Sequence, residues 1–180
     1  MLSSSGSNFH GGWIGGTDHN DTFNVNVLSG TWFGMAGGDG IDTYNLHGGG
    51  YIRMSFRSGN PTQGLTIDLT TGVVSNDGWG NVEQINFLGT IGTFALDATH
   101  NDDNILGSAR DEEFILNGGV DFLDGGAGWD TLRYDRTGAE SVNIDLSATG
   151  SLDNATGMWN GLSFFHTISN IEAVRGTVDG

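Results

Sequence analysis

Residues 98–133 read as four consecutive nonapeptides: ATHNDDNIL, GSARDEEFI, LNGGVDFLD and GGAGWDTLR. Each has an acidic residue at its sixth position and an apolar residue at its eighth. The acids are Asp103, Glu112, Asp121 and Asp130, and the apolar residues are Ile105, Phe114, Leu123 and Leu132. Self-similarity at a fixed period indicates a repeat architecture, in which each unit buries its apolar side by stacking on the next.

A second patch of the same pattern lies near the N-terminus. GTDHNDTFN (16–24) places Asp21 at the sixth position, and GGDGIDTYN (37–45) places Asp42 there. The two stretches are 21 residues apart, and a strict 18-residue spacing would put Asp39 in the key place instead. We prefer the 21-residue spacing because it retains all the motif glycines of the second stretch, Gly37, Gly38 and Gly40.

A longer unit surrounds both patches. LTIDLTTG (65–72) resembles VNIDLSATG (142–150), and NVEQI (81–85) resembles NIEAV (170–174). The chain therefore reads as an N-terminal extension, two similar units and the start of a truncated third, with bounds 1–15, 16–93, 94–175 and 176–180. This organisation predicts that the chain is part of a longer tandem polypeptide.

The composition excludes several kinds of cross-link and partner. The 180 residues include 32 glycines, one proline and no cysteine, so neither disulfides nor thiolate metal sites are available. The formal net charge is −16, which disfavours nucleic acid as a partner and favours a cation. No apolar run is long enough to predict a membrane span. Helical periodicity is poor and short alternating runs are common, so we expect an all-β fold.

The nonapeptide has a simple physical interpretation as a six-residue turn followed by a three-residue strand. Two nonapeptides then make one 18-residue turn of a coil, which predicts that Asp103 lies beside Asp121 and that Glu112 lies beside Asp130. Stacked carboxylates with glycine-exposed carbonyls form an all-oxygen shell, which suits Ca²⁺ better than the more rigid Mg²⁺. The five histidines show no zinc-binding spacing.

GGDGIDTYN and GGAGWDTLR match every fixed position of GGxGxDxUx, the calcium-binding nonapeptide of RTX (repeats-in-toxin, haemolysin-type) proteins. This resemblance implies a right-handed parallel β-roll, a solenoid stabilised by Ca²⁺ between successive loops, with additional β-strand spacer segments. It also implies an extracellular protein exported by type I secretion. The residues implied as calcium site are Asp21, Gly37, Gly38, Gly40, Asp42, Asp103, Glu112, Gly119, Asp121, Gly125, Gly126, Gly128 and Asp130. Arg110 departs from the pattern, since it stands at a glycine position and its charge opposes a cation.

The sequence predicts a non-catalytic protein. It contains no GxSxG motif, and without cysteine or lysine neither thiolate nor Schiff-base chemistry is available. Glu83 and Glu172 recur in the N-x-E segments but belong to different units, so a structural role or peripheral calcium ligation is favoured over a catalytic pair. We expect a module that folds on extracellular calcium and supports secretion, folding or stability of a parent protein.

An alternative is a calcium-dependent carbohydrate- or surface-binding module, with polysaccharide or a cell surface as partner. Its basis is Trp79 and Trp159, which stand in glycine-rich loops at similar places in the two units. Exposed indole rings stack on sugars. The competing and preferred interpretation is that both loops fold down over the strands.

Overall fold

The computed structural model describes residues 11–135, 138–147 and 152–177. This part of the chain contains 17 strands and no helix, which confirms the all-β prediction. The strands form two sheets, one of seven strands and one of ten. Within the same residues, no helix is long and apolar enough to cross a membrane.

The seven-stranded sheet is parallel throughout. Every neighbouring pair in it runs in the same direction. Its strands, in spatial order, are β1 (Gly11–Gly15), β3 (Trp32–Ala36), β5 (Tyr51–Ser55), β9 (Phe94–Asp97), β11 (Glu112–Ile115), β13 (Thr131–Arg133) and β17 (Ala173–Arg175).

The ten-stranded sheet mixes parallel and antiparallel pairs. Its strands, in spatial order, are β14 (Ala139–Asp145), β15 (Asp153–Trp159), β16 (Leu162–Ser169), β12 (Val120–Gly126), β10 (Asn104–Ser108), β6 (Leu65–Asp68), β7 (Val73–Asp77), β8 (Glu83–Ile91), β4 (Thr43–Gly48) and β2 (Thr22–Asn26). The antiparallel pairs all involve β7 or β15.

Strands that follow one another along the nonapeptides alternate between the two sheets. From β9 to β13 the odd strands join the seven-stranded sheet and the even strands join the ten-stranded sheet. The register pairs Ile105 with Leu123, a separation of 18 residues, and Phe23 with Tyr44, a separation of 21. Both spacings inferred from the sequence are therefore present, including the three-residue insertion.

The hydrophobic core lies between the two sheets. All six apolar residues at the eighth motif position are buried, and they pack in one cluster: Phe23, Tyr44, Ile105, Phe114, Leu123 and Leu132. Alternation along each strand turns the next residue outward. The acid at the sixth position, two residues before the apolar one, therefore points to the same interior side.

The predicted spacers contribute the antiparallel pairs of the ten-stranded sheet. Ile67 lies in β6 and Ile144 in β14, so both IDL segments are strands. The two units differ beyond that point. The segment from Ile67 to Asn81 covers 14 residues, whereas that from Ile144 to Asn170 covers 26, which is enough for the extra strand β16. Consequently the first N-x-E segment leads into the ten-stranded sheet and the second into the seven-stranded sheet.

Both sheets continue across the boundary drawn between residues 93 and 94. Strand β5 pairs with β9, and β6 pairs with β10. Part of the N-terminal extension, Gly11–Gly15, forms strand β1 of the seven-stranded sheet. The rest of that extension and residues 178–180 of the truncated third unit lie outside the described residues.

Candidate metal centre

The register gathers the sixth-position acids into three stacks that run across the strands, which we call columns. Each contains two predicted acids and one further residue from the next strand. The first column is Asp21, Asp42 and Glu83, the second is Asp103, Asp121 and His166, and the third is Glu112, Asp130 and Glu172. The predicted pairing of Asp103 with Asp121 and of Glu112 with Asp130 is thus present.

Backbone amides tie successive members of a column together. Asp21 N–H donates to Asp42 Oδ1 at 2.8 Å, Asp103 N–H to Asp121 Oδ1 at 2.9 Å, and Glu112 N–H to Asp130 Oδ1 at 2.9 Å. Asp130 N–H in turn donates to Glu172 Oε2 at 2.8 Å. Each bond engages one oxygen of the accepting carboxylate and leaves the second oxygen for another partner.

In each column, a Thr or Ser stands four residues before the first acid, at the start of the loop that carries that acid. Thr17 N–H donates to Asp21 Oδ2 at 2.7 Å, and Ser108 N–H donates to Glu112 Oε2 at 2.8 Å. The Thr99 hydroxyl donates to Asp103 Oδ1. The sequence analysis missed these residues, although the signal was visible as a Thr or Ser at the second position of the leading nonapeptides.

The columns are buried, and several of their oxygens have no hydrogen-bond partner. Asp42, Glu83, Asp103, Glu112, Asp121 and Asp130 are all at most 3% exposed. Among the described residues, the buried carboxylate oxygens without a hydrogen bond are Glu83 Oε2, Asp103 Oδ2, Asp121 Oδ2 and Asp130 Oδ2. An unpartnered buried carboxylate is destabilising unless a proton or a cation balances it. The second column holds two such oxygens on adjacent residues.

The motif glycines lie where the loops of a column stack. Gly119 has φ +108°, and a Cβ there would lie 2.5 Å from the Asn101 carbonyl oxygen; Gly128 has φ +136°, and its Cβ would lie 2.4 Å from the Arg110 carbonyl oxygen. Only glycine allows that approach. The remaining predicted glycines stand in the same loops or at their entrance: Gly37, Gly38 and Gly40 before β4, and Gly125 and Gly126 at the end of β12.

Burial shifts the acid–base behaviour of the columns. Desolvation raises the pKa of Glu83 and of Asp121 to about 9. It raises the pKa of Asp103 and of Glu112 to about 7 and that of Asp130 to about 6. Repulsion from a neighbouring acid adds to several of these shifts, for example from Asp103 onto Asp121. Burial therefore disfavours the charged forms of these carboxyls in the folded chain.

The second column ends on a histidine that the sequence analysis did not select. Nε2 of His166 lies 3.1 Å from Asp121 Oδ2, and its Nδ1 lies 2.8 Å from the Tyr134 hydroxyl oxygen. Burial lowers the pKa of His166 to about 3, so the ring is neutral at neutral pH. The local sequence does not single out this residue. His166 joins the column because β16 pairs with β12, which places it beside Asp121.

The first and third columns end on the N-x-E glutamates. In the first, the Tyr44 hydroxyl lies 3.2 Å from Asp42 Oδ2 and 3.4 Å from Glu83 Oε1, so it sits between the two acids. In the third, Glu172 is exposed at the molecular surface. The recurrence of N-x-E in the sequence therefore reflects the residue that terminates an acid column.

Arg110, the departure from the glycine pattern, is held beside the third column. Its guanidinium carbon lies 4.3 Å from the Phe87 ring centroid, and Nη1 donates to the Ser108 hydroxyl at 3.2 Å. The cation thus rests on an aromatic face. It remains close enough to Glu112 to act against the rise in that carboxyl's pKa.

Trp79 and Trp159, the basis of the carbohydrate-binding alternative, are not among the exposed tryptophans. Trp159 is half-buried and stacks on His100 with ring centroids 5.9 Å apart, and Trp79 is also half-buried. The exposed indoles belong instead to Trp13, Trp32 and Trp129.

No group of three or more His, Cys, Asp or Glu side chains in the described part of the chain is arranged to hold a metal ion by itself. A cation between two stacked loops would therefore need backbone carbonyls in addition to carboxylates, a ligand set that Ca²⁺ accepts. The chain matches no protein-family model and no curated protein.

Proposed function

We propose that this chain is a non-catalytic calcium-binding module of the RTX type, a right-handed parallel β-roll that closes when Ca²⁺ enters its loops. The observation that carries the proposal is the stacking of buried acids in columns, each of the three with at least one buried carboxylate oxygen that accepts no hydrogen bond. Parallel strands that alternate between two sheets, with glycine loops stacked at their ends, support the same assignment.

The second column offers the strongest calcium position. Asp103 and Asp121 each present one buried oxygen there that accepts no hydrogen bond, and the oxygen of Asp121 has His166 Nε2 3.1 Å away. Gly119 lets the two loops approach. Asp130 with Glu112 would hold an ion in the third column, and Asp21 with Asp42 in the first. The ion supplies positive charge to carboxylates that are otherwise unstable in the interior.

Binding should be coupled to folding, because the unbound chain carries −16 of formal charge and buries much of it. In the low calcium of a cytosol the chain stays expanded, a state suited to export by type I secretion. Outside the cell, calcium folds the module and stabilises the parent protein. Extracellular calcium modules bind with dissociation constants of about 10⁻⁴ to 10⁻³ M.

A pair of matched variants tests the assignment by isothermal titration of Ca²⁺. Asp121→Asn preserves shape but removes a column charge, whereas Asp145→Asn removes the same charge from an exposed position outside the columns. We expect Asp121→Asn to weaken binding by about tenfold or more and Asp145→Asn to leave it nearly unchanged. Equal effects of the two substitutions would contradict the proposal.

Calcium-dependent binding of carbohydrate or of a surface is the second candidate function. Trp79 and Trp159 no longer support it, since both are half-buried. The exposed Trp13 and Trp32, which lie on a different face, support this second function instead.

A further inference from the structure

The outward face of the seven-stranded sheet carries two exposed tryptophans side by side. Trp13 on β1 and Trp32 on β3 are each 48% exposed. Ile14 and Phe33, which follow them, turn inward and pack against the core. The two indoles therefore share the outward face, away from the acid columns, whose side chains point to the interior.

Both indoles lie flat on the sheet because glycines stand beneath them. A Cβ at Gly11 would lie 2.0 Å from Trp32 Nε1, and a Cβ at Gly34 would lie 2.0 Å from Trp13 Cε3. Gly11 pairs with Trp32 and Gly34 pairs with Trp13 across β1 and β3. The glycines thus leave space that any side chain would fill, and each ring presents its open face to solvent.

The two rings are offset in register. Because Trp13 stands two residues along β1 from the partner of Trp32, strand rise and spacing put their Cα atoms about 8 Å apart. A flat ligand must extend over more than one ring to cover both indoles.

The same face gathers most of the cationic side chains of an acidic protein. Four of the six arginines project from it or from its adjoining loops: Arg53, Arg57, Arg133 and Arg175. The carboxylates that pair with them are Asp97, Glu113 and Asp135. Four guanidiniums therefore share three carboxylates, which leaves one positive charge unbalanced within this set.

Arg53, which lies next to Trp13, shares a carboxylate with Arg57. Arg53 Nη2 lies 2.5 Å and Arg57 Nε lies 3.2 Å from the same oxygen of buried Asp97, so two guanidiniums share one carboxylate. The Arg53 guanidinium carbon is also 6.0 Å from the Trp13 ring centroid. The side chains of both arginines remain partly exposed, at 23% and 30%.

We propose that this face binds an acidic glycan whose pyranose rings stack on Trp13 and Trp32 and whose carboxylate pairs with Arg53 and Arg57. The C–H face of a pyranose packs on an indole as other apolar surfaces do, and a guanidinium binds a carboxylate in a planar, bidentate geometry. This proposal gives the second candidate function its site. It uses no residue of the acid columns.

Titration calorimetry with an oligogalacturonate, on the full chain saturated with calcium, tests the proposal. The fully methyl-esterified oligomer is the matched neutral ligand. We expect the acid form to bind and the ester to bind much more weakly. Trp13→Ala and Trp32→Ala should each weaken binding of the acid form by about tenfold, the size of a hot-spot truncation. Arg57→Gln should reduce the preference for the acid over the ester.

Trp129→Ala is the control, because Trp129 is 62% exposed but stands in the loop before β13 rather than on this face. Three results would overturn the proposal: no binding of the acid form, equal binding of the ester, or equal loss in Trp129→Ala. A calcium-saturated dimer that Trp13→Ala dissociates would also overturn it, because a second copy would then be the occupant. The calcium-induced circular dichroism of each variant shows separately whether the fold and its calcium response persist.

Discussion

At the scale of single residues, the members that end the columns distinguish this chain from a uniform array. Glu83, His166 and Glu172 take the place of the next nonapeptide acid, and each belongs to a spacer or its end. A column therefore stops where the neighbouring strand comes from a different kind of segment. Under the proposed function, the number of calcium positions would depend on these terminal residues as well as on the motifs.

Glu172→Gln tests the role of a terminal glutamate. The amide oxygen keeps an acceptor for Asp130 N–H, but the negative charge near Asp130 is lost. We expect weaker calcium binding in the third column, by about tenfold, measured by titration calorimetry. Glu140→Gln, on the exposed side of β14, serves as the charge-matched control. An unchanged isotherm for Glu172→Gln would exclude Glu172 from the site.

Gly119→Ala tests the loop stacking. Its φ of +108° and the 2.5 Å approach to the Asn101 carbonyl predict a loss of about 1–3 kcal/mol in the free energy of unfolding. Gly15→Ala is the control, because a Cβ there meets nothing within 4 Å. Denaturant unfolding with saturating calcium measures both, and similar losses would show that close loop stacking is not the cause.

At the scale of strands, the acid–apolar alternation was enough to predict neighbours. Period 18 predicted that Asp103 lies beside Asp121. In the first patch the sequence predicted a spacing of 21 residues, which is the separation of Asp21 and Asp42 in the structure. These inferences held because a repeated motif fixes its own register. The spacers carry no such repeat, and the partners of β7 and β15 could not be derived from their residues.

The role of His166, which ends the second column, could not be predicted from the sequence either. Nothing in the local sequence FFHTI distinguishes a buried column residue from an ordinary core histidine. Its role depends on β16 pairing with β12, a contact between residues 45 positions apart in the chain. Likewise, the flat indoles of Trp13 and Trp32 depend on which glycine lies opposite each ring, and strand register cannot be derived from these residues alone.

Leu123→Ala tests the strand interior. Leu123 is completely buried in β12 and pairs with Ile105 and Ile168 on either side. Removing its side chain should lower the free energy of unfolding by about 2–5 kcal/mol. Val120→Ala, in the same strand but 59% exposed, should have a much smaller effect. Chemical denaturation of the calcium-bound protein distinguishes the two, and a small effect of Leu123→Ala would contradict the assigned core.

At the scale of the whole molecule, the buried acids predict an unusual dependence of stability on pH. Their folded-state pKa values, about 6 to 9, are raised above the ordinary values near 4. Raised carboxyl pKa values give stability that is present at low pH and lost as pH rises through them. The lowered pKa of His166 makes stability rise with pH below about pH 6.5, but this is one group against several raised carboxyls.

We therefore expect that, in EDTA, the free energy of unfolding falls as pH rises from about 5 to about 9. Calcium should reverse this slope, since deprotonated carboxylates bind it better. Far-ultraviolet circular dichroism at both pH values, with EDTA and with calcium, measures the folded fraction that this free energy sets. Stability in EDTA that rises with pH would contradict the burial of ionisable columns.

Small-angle scattering of the full chain in EDTA, followed by calcium, tests most directly whether folding depends on the ion. At neutral pH without calcium, we predict a radius of gyration well above the folded value, toward the about 45 Å of an unfolded chain of this length. With millimolar calcium it should fall to below about 20 Å. A compact particle of the same size in both conditions would contradict the account.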